Sequence, residues 1–358
     1  MTSRERVLTA LACKVPDVVP YMYGLVDTTL QEAIVGRELE DYRFDLTIDP
    51  GIVARPGEDI DYRLNYVVHP DTARRLGLDA VGIRFPSPLF CVARYGRGGN
   101  AVERGLLDSW EALRAARMPD PDDERIFREA EDFIRRFKGE FALFASIRLG
   151  ASSTLLSVGY DNFSYALYDD IDLVYAVVDF YTEWTSRLVR NLRGLGFDFM
   201  WAFDDIASNS GPMFSAAVWE DVFVHRLKRV AGEIGCPWIY HSDGNLLPII
   251  DHMLPLGMSG IHPLEPGVMD LDLFKRLYGR RLCMVGNIDI DYTLSKGTPD
   301  EVRRAVRERI EQLAPGGGYI ISDSNSVPYF CKAENVIAMS DAVRTYRHFY
   351  SREEARRN

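Results

Sequence analysis

The sequence contains few cysteines, and no two of them lie close together along the chain. Its five thiols are Cys13, Cys91, Cys236, Cys283 and Cys331, an odd count without a C-x-x-C motif. This spacing indicates neither a disulfide framework nor a zinc knuckle built from thiolates. We therefore expect reduced thiols, most of them buried.

Long apolar runs and an excess of positive charge are also absent. No run approaches the roughly 18 residues that span a bilayer, and the first residues lack the apolar core of a signal peptide. With 42 Lys and Arg against 53 Asp and Glu, the net charge is −11. Because an acidic surface does not attract phosphate backbones or anionic lipids, nucleic acid and membrane are not expected as partners. The composition predicts a cytoplasmic protein.

Short apolar segments alternate with helical patterns along the chain. Eight segments have the length and composition of buried strands, namely 19–24, 80–84, 142–147, 198–203, 237–240, 260–262, 283–286 and 319–322. The helical patterns between them predict an α/β protein with the fold of a (β/α)8 TIM barrel. We assign residues 1–350 to one barrel domain and 351–358 to a C-terminal tail. The less regular segments 27–68 and 85–107 are predicted insertions at the barrel mouth, the second interpreted as a hairpin.

Polar side chains follow the last five predicted strands. They are Asp204 and Asp205, His241 and Asp243, His262 and Glu265, Asn287 and Asp289, and Ser322, Asp323 and Asn325. The carboxyl ends of barrel strands meet at one rim, where enzymes of this fold keep their active sites. We therefore predict His241, Asp243 and Asp205 as catalytic residues. Adjacent side chains on a strand point in opposite directions, so at most one of Asp204 and Asp205 faces the pocket, and Asp205 has a slight preference.

Several of these residues also have ordinary structural interpretations. Asp243 precedes a glycine and could form a turn or cap the next helix. Asp323 is equally consistent with a turn residue, and Glu265 with a surface carboxylate. His262 is expected to pack in the barrel wall.

Short motifs occur in a characteristic order along nearly the whole chain. They are Arg4-Glu-Arg-Val, Pro16-Asp17, Leu78-Asp79-Ala80, Asp204-Asp205, Gly211-Pro-Met-Phe-Ser215, His241-Ser-Asp-Gly244, Leu264-Glu-Pro266, Gly286-Asn-Ile-Asp289, Gly297-Thr-Pro299, Gly316-Gly-Gly-Tyr319 and Glu334-Asn335. Their order and spacing resemble the uroporphyrinogen decarboxylase superfamily, which also contains the corrinoid-dependent methyltransferases. The resemblance implies a TIM barrel.

The departures from the family pattern disfavour uroporphyrinogen decarboxylase itself. The first strand, 19–24, lacks the arginine of the decarboxylase signature, and Pro86 and Val158 stand where the resemblance implies a pyrrole-binding aspartate and a functional tyrosine. Ser215 is a decarboxylase-like site residue that does match. A porphyrinogen carries many carboxylates and would require cationic partners.

The methyltransferase branch resembles this chain more closely. Its thiol-activating members bind zinc through a His-x-Cys segment and a later cysteine; here these positions hold His241, Asp243 and a residue near Asp323. Carboxylates in place of thiolates favour a harder or more labile metal than thiolate-bound zinc. Either a metal or a general acid at the leaving atom would stabilise the charge that develops there. If the group is a divalent metal such as zinc, its predicted ligands are His241, Glu265 and Asp323.

We interpret the chain as a corrinoid-dependent methyltransferase that demethylates a small methoxylated or N-methylated compound. The methyl group would pass to cobalamin on a separate corrinoid protein, because the chain lacks an Asp-x-His-x-x-Gly cobalamin motif. A homodimer is one assembly that the chain could form. The predicted substrate-binding residues are Tyr21, Tyr23, Phe203, Ser215, Tyr240 and Asn287. The alternative is a decarboxylase or lyase of the same superfamily that acts on a small carboxylated substrate.

Overall fold

The strands of the protein are mostly short and parallel. The computed structural model describes residues 1–39, 52–60, 62–94 and 101–350. Within these ranges the strands are β1 (Val53–Ala54), β2 (Asn65–Tyr66), β3 (Ala80–Arg84), β4 (Leu89–Arg94), β5 (Ala101–Gly105), β6 (Ala142–Ile147), β7 (Phe199–Phe203), β8 (Ala207–Ser208), β9 (Gly211–Pro212), β10 (Trp238–His241), β11 (Gly260–His262), β12 (Cys283–Ile288) and β13 (Tyr319–Asp323).

Helices connect and surround these strands. They are α1 (Ser3–Leu11), α2 (Thr28–Val35), α3 (Pro70–Leu76), α4 (Trp110–Ala115), α5 (Glu124–Phe137), α6 (Ala151–Val158), α7 (Tyr160–Asp169), α8 (Ile171–Leu192), α9 (Ala216–Val218), α10 (His225–Ile234), α11 (Ile250–Met253), α12 (Leu271–Tyr278), α13 (Pro299–Leu313) and α14 (Ala333–Tyr346). Shorter π-helical and 3-10 turns occupy Trp219–Val224, Ile290–Leu294 and Leu254–Leu256. No helix in the described ranges is long and apolar enough to cross a bilayer.

The parallel strands close into a barrel. The sheet order is β13-β12-β11-β10-β7-β6-β3, with β2 antiparallel to β3 at its edge. Segment 19–24 lies between the two ends of this order, because Tyr21 forms a parallel bridge with Ile321 of β13 and its carbonyl accepts a hydrogen bond from Asp79 N at 2.7 Å. The predicted (β/α)8 TIM barrel is thereby confirmed. Seven predicted strands agree with β3, β6, β7 and β10 to β13 within two residues, and the eighth is the bridged segment.

Alternate residues of each strand face opposite sides of the barrel wall. Phe144, Phe199, Trp201 and Val285 belong to the inner core, which α1 closes from below through Leu11 and its neighbours. The intervening residues, among them Leu143, Met200 and Tyr240, belong to the outer core that also contains the surrounding helices. Burial on both faces explains why these strands read as nearly continuous apolar runs.

A buried carboxylate ties both ends of the chain to the first barrel segment. Asp79 accepts hydrogen bonds from Tyr21 N (2.9 Å), from Arg6 Nη1 (2.5 Å) and from Arg347 Nη2. Arg6 belongs to α1, and Arg347 follows α14. The network therefore anchors the segment that completes the barrel, although this segment forms only one bridge.

The predicted insertions contain β1, β2, β4 and β5. β4 and β5 pair antiparallel within the predicted segment 85–107, and β1 pairs parallel with β4. The turn predicted between β4 and β5 falls on residues 95–100, which lie outside the described residues, as do 40–51 and 61 of the first insertion and the predicted tail 351–358.

Candidate metal centre and active site

Three predicted site residues converge at the carboxyl ends of β7 and β10. Asp205 follows β7, His241 ends β10, and Asp243 lies two residues further on. One ligand atom from each of the three lies within 4.8 Å of the other two. His241 Nε2 is 3.4 Å from Asp205 Oδ1 and 3.8 Å from Asp243 Oδ1. We call Asp205, His241 and Asp243 the ligand triad.

The backbone after β10 holds the triad in place. Asp243 N donates to Asp205 Oδ1 at 3.1 Å, so the two carboxylate loops are joined directly. Gly244 N donates to Glu265 Oε2 at 2.9 Å. Gly244 has a φ of +82°, and a Cβ at this position would collide with the carbonyl oxygen of Ser208. Glycine is therefore required for the turn that follows Asp243.

The electrostatics of Asp243 favour a cation. Its Oδ1 is buried without a hydrogen-bond partner, while Oδ2 accepts from Asn325 Nδ2 at 2.5 Å. Burial first, and then the negative charges of Asp205, Glu265 and Asp323, raise the pKa of Asp243 well above its usual value. Carboxylates held this closely together repel each other unless a proton or a cation lies between them.

The donor set defines which cation the triad could hold. One imidazole nitrogen and two carboxylates suit a divalent metal of borderline or hard character. No cysteine is part of this triad, as expected from the aspartate at position 243. The triad therefore fits a divalent metal and does not provide a thiolate-rich zinc site.

A second histidine lies directly behind His241. The Nδ1 atoms of His241 and His262 are 2.6 Å apart, and the rings stack with centroids 4.9 Å apart. Burial lowers the pKa of both imidazoles, so both are neutral near pH 7. His262 packs as expected and is not part of the triad; its ring lies inside the barrel against Trp201. The two rings meet because β10 and β11 pair in parallel and place His241 and His262 in register.

Asp204 and Asp205 have different roles, as the alternation of side chains predicted. Asp204 is fully buried and accepts hydrogen bonds from Ala151 N (3.1 Å), Ser152 N (2.7 Å) and Ser152 Oγ (2.8 Å). It therefore caps the first turn of α6. Asp205 belongs to the ligand triad, and 45% of its side chain is exposed.

Three predicted substrate-binding tyrosines face away from the site. Tyr21 donates its hydroxyl to Tyr23 Oη at 2.7 Å, and the hydroxyl of Tyr23 contacts Met339 of α14. Tyr240 donates to the Asp204 carbonyl at 3.0 Å. All three belong to the outer core, and none is part of the ligand triad. Since Tyr240 precedes His241 on a strand, only one of the two can face inward.

The other predicted substrate-binding residues differ in their placement. Phe203 packs inside the barrel, with its ring centroid 4.6 Å from that of His241. Asn287 is buried and donates from Nδ2 to the Leu264 carbonyl, while its Oδ1 has no partner. Ser215 accepts from Val218 N at 3.2 Å and so caps α9, a structural use of its hydroxyl.

Glu265 and Asp323, the other two predicted metal ligands, lie outside the triad. Glu265 is engaged by Gly244 N, as described above. Asp323 is fully buried and accepts from Ser322 Oγ at 2.9 Å and from Asn325 N at 3.4 Å. Burial raises the pKa of Asp323 to about 6. Asp205 and Asp243 accompany His241 in the triad because their loops are hydrogen-bonded to each other beside its Nε2.

A buried cation near the site was missed by the sequence analysis. Arg148 follows β6 and is 8% exposed. Burial lowers its pKa, whereas the charges of Asp205 and Asp204 oppose this shift. Its position after a barrel strand is the signal that could have identified it, in the same way as for His241.

A TIM barrel with ionisable residues gathered at its carboxyl rim has the arrangement of an enzyme of that fold. More specifically, the chain belongs to the uroporphyrinogen decarboxylase (URO-D) family, whose model matches residues 90–346.

Two curated relatives are named as methyltransferases. The methylated-thiol–coenzyme M methyltransferase of Methanosarcina mazei is 26% identical over 183 residues, which is 50% of this chain and 47% of the relative. The methylcobamide:CoM methyltransferase MtaA of Methanosarcina barkeri is 26% identical over 151 residues, or 41% and 44%. The chain thus spans about half the length of the curated relatives it matches. A solved methyltransferase from Methanosarcina mazei shares the fold, with a TM-score of 0.70 and 19% identity over 97% of this chain and 99% of that one.

Proposed function

We propose that this protein is a corrinoid-dependent methyltransferase. It takes the methyl group of a small methoxylated or N-methylated compound and passes it to a cobalamin that a separate corrinoid protein carries. The observation that carries the proposal is the ligand triad at the barrel mouth. Family membership and relatives with methyltransferase names, one of which includes methylcobamide, support it.

The triad could stabilise the charge that develops on the leaving group. When a methyl group leaves an oxygen or nitrogen, negative charge develops on that atom and must be neutralised. Asp205, His241 and Asp243 would hold a divalent metal, which supplies Lewis-acid stabilisation of that charge. Oxygen and nitrogen ligands favour a harder metal than thiolates do, and a harder metal favours an oxygen or nitrogen leaving atom over sulfur.

Asp243 offers a second way to neutralise the leaving group. Its pKa is raised well above the usual value by burial and by neighbouring carboxylates, so its carboxyl group retains a proton at higher pH. A protonated carboxyl group can donate that proton to a departing oxygen as a general acid. The metal and the general acid are alternatives, because a carboxylate that ligates a metal has already lost its proton.

The inner wall beside the triad is aromatic. Phe203 lies on His241 and stacks on Trp201, with ring centroids 5.5 Å apart. Trp201 is fully buried below them. Such a wall excludes water and suits a planar or apolar methyl donor.

Methyl transfer to free cobalamin provides the test. The protein is mixed with cob(I)alamin and a panel of methoxylated aromatics and methylamines, with and without added Zn²⁺ or Co²⁺, and the absorbance of methylcobalamin is followed. We expect methylcobalamin with at least one donor, and loss of more than about 100-fold of that rate in His241→Ala. A thermal melt of the variant checks its folding. The proposal is wrong if no donor reacts while a carboxylated compound releases carbon dioxide.

A further inference from the structure

We infer that His262 is a positioning residue that sets the tautomer of His241, so that the lone pair of His241 Nε2 faces Asp205 and Asp243. The inference rests on the proposed function, because it takes Nε2 as the atom that meets the metal. His262 itself does not touch the space between the two carboxylates.

The contact between the two rings requires one shared proton. At 2.6 Å between Nδ1 atoms, one nitrogen donates a proton and the other accepts it. Both side chains are almost fully buried, at 3% and 0% exposure, so no solvent replaces this contact. The proton therefore resides either on His241 Nδ1 or on His262 Nδ1.

The position of that proton decides what His241 can do. With the proton on His241 Nδ1, its Nε2 carries a lone pair directed at the two carboxylates and can bind a metal. With the proton on His262 Nδ1, His241 carries its own proton on Nε2, 3.4 Å from Asp205 Oδ1, and cannot be a ligand. An acceptor behind His241 is thus needed for metal binding, and His262 is the acceptor that the structure provides.

The surroundings of His262 keep its ring in place. Trp201 meets the ring edge to face, with centroids 5.0 Å apart and planes at 84°. The backbone of β11 is fixed on one side by the parallel pairing of His262 with His241. Histidines that bind a metal through one ring nitrogen usually donate the N–H of the other to a carboxylate or a carbonyl oxygen. Here a neutral imidazole takes that position.

Three substitutions at His262 separate hydrogen bonding from packing. His262→Leu and His262→Phe remove the acceptor, and the second retains a ring against Trp201. His262→Asn retains an acceptor close to the position of Nδ1. Ile261→Val is the matched control, because Ile261 is equally buried on the same strand but belongs to the outer core. Thermal melts establish that each variant is folded.

Two measurements test the positioning role of His262 without enzymatic turnover. Titration with Co²⁺, followed by its visible absorbance, should show affinity about 10- to 100-fold weaker in the Leu and Phe variants and within about threefold of wild type in the Asn variant and the control. Spectra of ¹⁵N-labelled histidine should show His241 protonated on Nδ1 in the wild type and shifted toward Nε2 in the Leu and Phe variants.

The outcomes distinguish this inference from the proposed function. Unchanged His241 tautomer and Co²⁺ affinity in the Leu and Phe variants overturn the positioning role, even if the wild type transfers methyl groups. A shifted tautomer in those variants supports the positioning role even if no methyl donor reacts. If one of the two variants fails to fold, the other decides. If the wild type binds no Co²⁺, the tautomer alone decides.

Discussion

The Nδ1 atom of His241 lies 2.6 Å from the Nδ1 atom of His262, inside the barrel and below its carboxyl rim. This contact leaves only Nε2 of His241 directed toward the acidic loops. The charges of the site are therefore arranged on one side of a neutral pair of imidazoles. That asymmetry leads to the following expectations.

The ligand triad predicts which carboxylates control metal affinity. Asp205→Asn and Asp243→Asn should each weaken Co²⁺ binding by about tenfold or more, because each removes one anionic ligand. Glu265→Gln should stay within about threefold, since an amide oxygen can still accept from Gly244 N. Equilibrium dialysis with metal analysis measures all three. A larger loss of Co²⁺ affinity in Glu265→Gln than in Asp205→Asn would show that the metal does not bind at the triad.

The neighbouring residues Asp204 and Asp205 should give opposite results. Asp204→Ala leaves two backbone amides and a hydroxyl of α6 without their acceptor, at a cost of about 3 kcal/mol in the free energy of unfolding. Asp205→Asn should change that free energy by less than about 1 kcal/mol, because its side chain is 45% exposed. Urea unfolding compares the two variants directly. Equal stability losses would contradict the capping role of Asp204.

Two glycines with the same backbone conformation isolate the effect of close packing at the site. Gly244 and Gly257 have φ angles of +82° and +81°, but a Cβ on Gly257 would meet nothing within 4 Å. Gly257→Ala should cost only the strain of a left-handed residue, about 1–2 kcal/mol. Gly244→Ala must also displace the Ser208 carbonyl and should cost more, with loss of Co²⁺ affinity. Similar losses in the free energy of unfolding for both variants would exclude a displacement of the Ser208 carbonyl.

Asp323 should make stability fall as pH rises through weakly acidic values. Burial raises its pKa in the folded state to about 6, above the ordinary value of 3.8. Between these values the folded protein holds more protons than the unfolded chain, so the free energy of unfolding decreases with rising pH. Relative to the wild type, Asp323→Asn should gain about 2 kcal/mol between pH 4 and pH 7, since a tenfold change in a proton-binding constant corresponds to about 1.36 kcal/mol. Chemical unfolding of both proteins over this range measures the difference, and a constant difference would contradict it.

Aromatic residues on the two faces of the barrel wall should affect different properties. Phe203→Leu removes the ring that packs on His241, so kcat/KM for the methyl donor should fall by about tenfold. Tyr240→Phe removes a hydrogen bond to the Asp204 carbonyl and should cost about 1 kcal/mol of stability with unchanged kinetics. Steady-state assays and thermal melts of the two variants provide the comparison. A lower kcat/KM in Tyr240→Phe would instead support a role of Tyr240 in binding the substrate.

Local patterns were enough to predict the fold and the region of the site. The apolar strand segments and the helical patterns between them depend on side-chain period, which is a property of neighbouring residues. His241 and Asp205 were predicted because each follows such a segment, and barrel strands present their carboxyl ends at one rim. Alternation predicted that only one of Asp204 and Asp205 could face the site, without deciding which of the two.

The substrate-facing tyrosines show where the same reasoning was incomplete. Proximity to strand ends predicts Tyr21, Tyr23 and Tyr240 in the pocket, but it does not determine which face of the wall each occupies. Alternation with His241 is a sequence feature that places Tyr240 on the outer face. The orientation of Tyr21 and Tyr23 becomes evident from their contacts with each other and with Met339.

By itself the sequence determined the barrel strands and the rim on which the ionisable residues lie. It also determined that position 243 offers a carboxylate to a metal and not a thiolate. Only the tertiary structure decided that His262 meets His241 and that Asp205 and Asp243 share a hydrogen bond while Asp323 stays outside the triad. The reason is physical: these contacts join different strands and loops, and their distances depend on the parallel register of β7, β10 and β11. Register follows from the packing of the whole barrel, which no local stretch of residues specifies.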